Sequence, residues 1–217
     1  APLERTVSYL SGTRLGPSEI LRASSQLELW DEELGIDVHT QGICTLPEME
    51  LPYSDQVEAL AEINRVAKTI ISLNKFLVTL GGEHSITPPL VAAAAAHYDD
   101  LSILQIDAHA DLRDSYLGNP NSHACAMRRS VEYAPCTQVG IRSLSTEEAM
   151  IADSLPTTIF YDVKMRDHAN WIEDIVSTLR RRVYITIDCD GLNPAVMPAV
   201  GTPEPGGLSW TELIQIL

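Results

Sequence analysis

Three short apolar runs in this chain each break off into carboxylates and imidazoles, and that repeated ending restricts its possible folds more than any other feature. Ser102-Ile103-Leu104-Gln105-Ile106 leads into Asp107-Ala108-His109-Ala110-Asp111, and Val183-Tyr184-Ile185-Thr186-Ile187 leads into Asp188-Cys189-Asp190. A third run, Phe76-Leu77-Val78-Thr79-Leu80, passes into Gly81-Gly82-Glu83-His84. Short continuous apolar runs read as strands buried on both faces, the pattern of a parallel sheet. In a doubly wound α/β sheet, ligands bind at the carboxyl ends of the strands. A solvated loop would account for any one of these strings, but three strands ending alike argue for one shared site.

The remaining periodicity alternates in the same way. Strands are predicted at 36–39, 76–80, 102–106, 137–141, 157–161 and 183–187, with helices at 16–29, 55–73, 87–97, part of 121–132, and 167–180. Pro17 suits a first helical turn, Thr87-Pro88 reads as an N-cap followed by proline, and Ser145…Glu148 and Ser209…Glu212 are capping boxes. Trp171, Ile175 and Leu179 share one helical face, with Ile172 and Val176 beside it, and Arg180-Arg181-Arg182 closes that helix as cations complementing its dipole. Repeated strand–helix units imply an α/β fold, a mainly parallel sheet covered on both faces. No repeat or linker divides residues 1–217, so one domain is expected. Both ends read as unfinished: no strand precedes Ala1, and the helix begun at Trp210 has no stop before Leu217.

The 217 residues carry a net charge of −15 and are 45% hydrophobic, ample for a packed core. Nucleic-acid binding is disfavoured, because phosphate contacts need clustered Lys and Arg. No run of about 18 apolar residues suggests a membrane span, and no charged leader followed by an apolar stretch and cleavage site marks secretion. The four cysteines, Cys44, Cys125, Cys136 and Cys189, form no CxxC pair, and a reduced, cytoplasmic setting is the simplest reading.

If the backbone stays extended past Ile106, then Asp107, His109 and Asp111 project the same way. Together with His84, Asp188 and Asp190 they supply two imidazoles and four carboxylates, a charge of about −4 that two divalent ions would balance. Oxygen-rich ligation with some imidazole and no thiolate suits Mn²⁺ better than structural zinc. Water shared between two such ions ionises near neutral pH, so the expected chemistry is hydrolysis at a planar carbon or at a phosphate ester.

These same motifs resemble the ureohydrolase family of arginases, agmatinases and formimidoylglutamases. The resemblance covers nearly the whole chain, from Gly12-Thr13-Arg14-Leu15-Gly16-Pro17 through Gly81-Gly82-Glu83-His84-Ser85 and Asp107–Leu112 to the run from Asp188 to Trp210. It implies a three-layer α/β/α sandwich, two Mn²⁺ ions per subunit, and a homotrimer or homohexamer. His84 and Asp111 would serve one ion and His109 and Asp190 the other, with Asp107 and Asp188 bridging. The segment from Asp111 to Asn119 leading into Ser122-His123-Ala124-Cys125 is most similar to agmatinases. The resemblance makes His123 the proton shuttle to a departing amine, alongside Asp107 in the catalytic set. It implies hydrolysis of a small cationic guanidino substrate, agmatine to putrescine and urea. Arginine or another guanidino acid is the close alternative, and a non-catalytic metal-binding subunit the distant one. The family's last motif commonly has a third Asp where this chain has Asn193, read as a turn residue. The family's guanidinium-gripping Glu lies on a C-terminal strand expected beyond residue 217, together with a following helix.

Other residues have simpler readings. Cys189 should point to the buried side of its strand, and Cys125 near His123 is a weak candidate for a thiol nucleophile. Glu204 is expected as a polar loop residue at the cleft mouth, Asp37-Val38-His39 as a strand edge, His97 and His168 as helix-end residues, and Trp30, Trp171 and Trp210 as core or interface residues.

Overall fold

The computed structural model describes residues 1–52 and 54–217. In chain order the elements are α1 (Gly16–Ser24), the short antiparallel pair β1 (Trp30–Asp31) and β2 (Ile36–Asp37), α2 (Gln56–Ser72) and α3 (Thr87–Ala95). They continue with β3 (Leu101–Ile106), α4 (Ala126–Ser130), β4 (Cys136–Ile141), α5 (Thr146–Ile151), β5 (Thr157–Tyr161), α6 (Asp162–Met165), α7 (Trp171–Ser177), β6 (Arg182–Ile187) and α8 (Trp210–Ile216). The main sheet is parallel in the order β5-β4-β3-β6, so the chain crosses from β5 at one edge to β6 at the other.

Strand β3 sits between β4 and β6, and all six of its residues are buried. Leu101 and Ile103 pack with Ile63, Ile71, Leu90 and Val91 from α2 and α3. Leu104 and Ile106 face the opposite layer, where Met165, Ile175, Leu213 and Ile216 come from α6, α7 and α8. Alternate side chains of one strand thus fill two cores, which is why the strand reads as a continuous apolar run. The result is the expected α/β/α arrangement. Asp55 caps α2 by accepting from the Val57 and Glu58 amides, and both capping boxes form.

Several sequence expectations are corrected. Residues 76–80 form no ladder among the described residues, and Phe76 and Val78 are exposed. Their apolar character gives strand propensity, but a strand exists only where a neighbour accepts its hydrogen bonds. The apolar run of β6 predicts burial, yet among the described residues the strand pairs on one side only and leaves Val183, Ile185 and Ile187 partly in solvent. Helix α7 spans only Trp171–Ser177, so Arg180–Arg182 do not close it; Arg182 starts β6 and lies over the Tyr98 ring. Val176 is exposed rather than packed, and α1 stops at Ser24. Thr87 is the first helical residue rather than the cap, its hydroxyl instead 3.0 Å from the Thr186 Oγ1. Beyond Asp37 the chain turns into a 3₁₀ helix, Val38–Gln41. Of the tryptophans read as core or interface residues, Trp171 packs against a core, while Trp30 and Trp210 are largely exposed and so are not core.

Candidate functional site

The strand ends converge. From β3 the ladder continues one residue further, because Asp107 N donates to Val139 O and Asp188 N donates to Ile106 O. Asp107 and Asp188 therefore leave adjacent strands side by side. Two glycines permit the close packing here. Gly140 holds φ +88° at an irregularity in β4, and a Cβ on it would meet Asp107 O at 3.2 Å. A Cβ on Gly191 would meet Asp107 N at 2.7 Å, closer than any side chain can approach.

Extended alternation carries the chain through His109, while Ala108 and Ala110 are fully buried. Asp111 departs from it: its φ is +53°, the left-handed region that a non-glycine residue enters only under restraint. The restraint is visible. The Asp111 carbonyl accepts from the amides of Met127 and Arg128 at the start of α4, at 3.0 and 2.9 Å.

Two groups form. In the first, His84 Nδ1 lies 2.8 Å from Asp111 Oδ2 and 3.1 Å from Asp107 Oδ2, with Asp188 Oδ2 at 3.8 Å. In the second, His109 Nδ1 lies 3.2 Å from Asp190 Oδ2 and 3.6 Å from Asp107 Oδ1. Asp107 turns one oxygen to each group. The ligand atoms of His84, Asp107 and Asp111, and those of Asp107, His109 and Asp190, lie within 4.8 Å of one another, close enough to hold an ion in each group. Asp188 stands beside the first group through His84.

The titration of these groups fits such ions. Burial opposes charging His84, but the Asp107 and Asp111 carboxylates outweigh it and hold its pKa well above the imidazole range. Burial likewise opposes charging His109, yet Asp107 and Asp190 raise it to about 11. Burial, reinforced by repulsion from Asp190 and Asp107, pushes Asp188 well above the carboxylate range, and burial also raises Asp111 and Asp190. Asp107 goes the other way: burial would raise it, but its bonds to His109 and His84 hold it below the carboxylate range. Imidazoles that retain protons and carboxyls that resist ionising mark a deficit of positive charge. A divalent cation in each group would supply it.

Sequence reading missed the residues that hold these ligands. Gln105 Nε2 donates to Asp107 Oδ2 at 2.7 Å, and Gln138 in turn donates to Gln105 Oε1. Thr202 donates to Asp190 Oδ2, and Ala108 N donates to Asp190 Oδ1. Arg142 spreads its guanidinium over the carbonyls of Asp190, Pro205 and Glu204, among others. A lone Gln inside an apolar strand was the one available signal. Glu204 is closer than expected, with Oε1 3.8 Å from His109 Nε2. Cys189 is exposed rather than buried, because a 3₁₀ turn over Cys189–Gly191 ends the strand's alternation. Cys125 is buried with its Sγ toward Asn119 O, which leaves no thiol–imidazole pair with His123. Asn193 shapes a turn as read, its side chain accepting from Ala195 N.

A cavity of about 260 Å³ opens beside these groups, lined by His109, Asp111, Arg113, Tyr116, His123 and Glu148 among others. Arg113 lies over the Tyr116 ring, with its Nε 3.6 Å from Glu148 Oε2. Glu148 is itself buried, capping α5 and accepting from Leu112 N.

Paired Asp/His groups at the carboxyl edge of a parallel sheet, beside an open cavity, define a hydrolase of the metal-assisted type. The arginase family profile matches residues 1–217, and the chain belongs to that family. It is 41% identical to an N(1)-aminopropylagmatine ureohydrolase of Synechocystis over 97% of this chain and 72% of that protein. It is 34% identical to an agmatinase of Bacillus cereus over 98% of this chain and 73% of that one. The fold superimposes on the agmatine ureohydrolase of Thermoplasma volcanium with a TM-score of 0.90 at 36% identity, covering 99% of this chain and 73% of the other. Among the described residues, no helix is long and apolar enough to cross a membrane.

Proposed function

We propose that this chain cleaves a small cationic guanidino compound to urea and an amine, with agmatine to putrescine as its reaction. The observation that carries the reading is Asp107, whose two oxygens face two separate His/Asp groups. His84 and Asp111 would hold one Mn²⁺, and His109 and Asp190 the other, with Asp107 and Asp188 between them. When bound, the ions would supply ionised water as nucleophile at neutral pH.

The chain's own residues do the rest. The carboxylates draw a guanidinium toward the cavity, and Gln105 fixes the rotamer of Asp107. Water adds to the guanidino carbon, the C–N bond to the alkyl amine breaks, and the departing nitrogen needs a proton. His123, on the cavity wall, hands it over and is recharged from solvent. The tail is read by Arg113. Its charge is already offset by Glu148 and spread over Tyr116, so it offers a carboxylate tail little net attraction, which favours agmatine over arginine.

The 41% identity to an aminopropylagmatine ureohydrolase favours a second substrate of the same class, agmatine extended by an aminopropyl arm. Urea release from agmatine, aminopropylagmatine and arginine, measured in parallel with Mn²⁺-loaded protein, ranks the three. A wide preference for arginine would overturn the reading. Assembly as a homotrimer or homohexamer belongs to the same proposal, and light scattering in solution tests it. Free thiols at Cys44, Cys125, Cys136 and Cys189 support a reducing, cytoplasmic setting.

A further inference from the structure

The structure assigns Thr6 and Glu83 as positioning residues that lock His123 in the tautomer carrying its proton on Nδ1. The assignment rests on the shuttle role of His123 proposed above. It starts from the hydrogen-bond capacity of one hydroxyl. Among the described residues, Thr6 Oγ1 has three neighbours: Glu83 Oε1 at 3.0 Å, the His123 backbone N at 2.9 Å, and His123 Nδ1 at 3.1 Å. A threonine hydroxyl has one proton to give and two lone pairs to accept with. The His123 amide can only donate, so it takes one lone pair.

Glu83 takes the proton. The residue is 5% exposed, and its partners among the described residues all donate: the Arg5 and Thr6 amides to Oε2, and the Thr6 and Ser85 hydroxyls to Oε1. Two of these partners are backbone amides, which can only donate, and a carboxylate only accepts, so the Thr6 hydroxyl points its proton at Oε1. With its proton committed to Glu83, Thr6 can meet Nδ1 only by accepting from it. Nδ1 therefore carries hydrogen, and Nε2 keeps its lone pair. Ser122 Oγ, at 3.5 Å from Nδ1, is too distant to compete.

The consequence is functional. A shuttle needs one ring nitrogen that both takes up and returns a proton. Nδ1 is withdrawn from that task, and Nε2, which has no hydrogen-bond partner among the described residues, is left for it. When Nε2 gains its proton, the Nδ1–H bond to Thr6 survives unchanged, and Glu83 places a negative charge one hydroxyl away. The Tyr116 ring, edge-on to His123 at 6.0 Å, limits ring rotation from the cavity side.

The test reads the tautomer directly, by long-range ¹H–¹⁵N correlation on ¹⁵N-histidine protein loaded with diamagnetic Zn²⁺, the His123 signals being assigned by their loss in His123→Asn. The neutral ring should show hydrogen on Nδ1 alone. Thr6→Val, which keeps the shape and removes the hydroxyl, should abolish that preference. On the Mn²⁺ enzyme the same variant should lower kcat by about 10- to 100-fold, part of the contribution of a general acid. Its KM and metal content should stay within about twofold, and Thr6→Ser should restore both tautomer and rate.

Glu83→Gln gives a sharper outcome. Its amide NH₂ avoids the two fixed backbone donors and faces the hydroxyls, so Thr6 turns its own proton onto Nδ1 and the tautomer inverts to Nε2–H. A wild-type ring with hydrogen on Nε2, or Thr6→Val and Thr6→Ser equally impaired, overturns the assignment. The ring is read without substrate. If no guanidino compound releases urea while the ring shows Nδ1–H, the proposed activity falls and the tautomer lock stands.

Discussion

Asp107→Asn is the sharpest probe of the two-group site, because it changes charge while keeping shape. The carboxylate is 1% exposed; Oδ2 accepts from Gln105 Nε2 and Oδ1 from His109 N, both at 2.7 Å. An amide must point its NH₂ at one of these donors, whichever way it is flipped. One charge-assisted bond is lost, and a buried donor is left without an acceptor, together about 2–5 kcal/mol. Relief of the repulsion Asp107 exerts on Asp188 is offset by the lost attraction to His84 and His109, so a loss of about 2–5 kcal/mol in the metal-free protein is expected. The effect on metal is larger, since one group exchanges its oxygen donor for an NH₂ and the other keeps only a neutral amide oxygen. Removing a residue that merely supports a ligand weakens metal binding by about 10- to 100-fold, and removing a ligand should exceed that. Calorimetric titration with Mn²⁺, paired with elemental analysis, should find at most one ion per chain and no measurable urea release. Two ions bound with wild-type affinity would refute the assignment of Asp107 as the bridge.

Other outcomes follow from the same geometry. His109 has a folded pKa of about 11, above its unfolded value near 6.5, so its contribution to metal-free stability is full below about pH 6.5 and is lost as pH rises toward 11. Raised carboxyls such as Asp188 act in the same sense, so chelator-treated protein should melt at progressively lower temperature through that window, and Mn²⁺ uptake should release protons, measurable by calorimetry in buffers of different ionisation enthalpy. Arg142→Met strips hydrogen bonds from the carbonyls of residues 190, 204 and 205; denaturant melts should show a loss of about 2–4 kcal/mol, and metal titrations a weaker second ion with the first little changed. Arg113→Ala leaves Glu148 without its cation on the cavity wall, which repels a carboxylate tail, so the ratio of agmatine to arginine turnover should rise by more than about threefold; an unchanged ratio would show that Arg113 does not read the tail. Ser145→Ala removes one half of a formed capping box and should cost about 1 kcal/mol, checked by thermal unfolding.

The sequence by itself determined the sheet's interior and the place of the chemistry. Strand β3 is legible because burial on both faces demands an unbroken apolar run, and that demand does not depend on which neighbours supply the two cores. The six ligand candidates are legible because carboxylates and imidazoles directly after such strands are costly unless something binds them. Capping boxes are legible because donor and acceptor lie three residues apart. What only the tertiary structure decided is pairing across distance. Residues 76–80 and β6 carry similar apolar patterns, yet among the described residues one finds no ladder partner and the other finds one side only, since hydrogen-bond partners come from elsewhere in the chain. Asp111 reaches its histidine through a left-handed residue held by α4, which strand alternation does not anticipate. Thr6 meets His123 across 117 residues, and Gln105 meets Gln138 across 33. Their roles depend on which group donates and which accepts, and that is settled only when the fold has brought the atoms together.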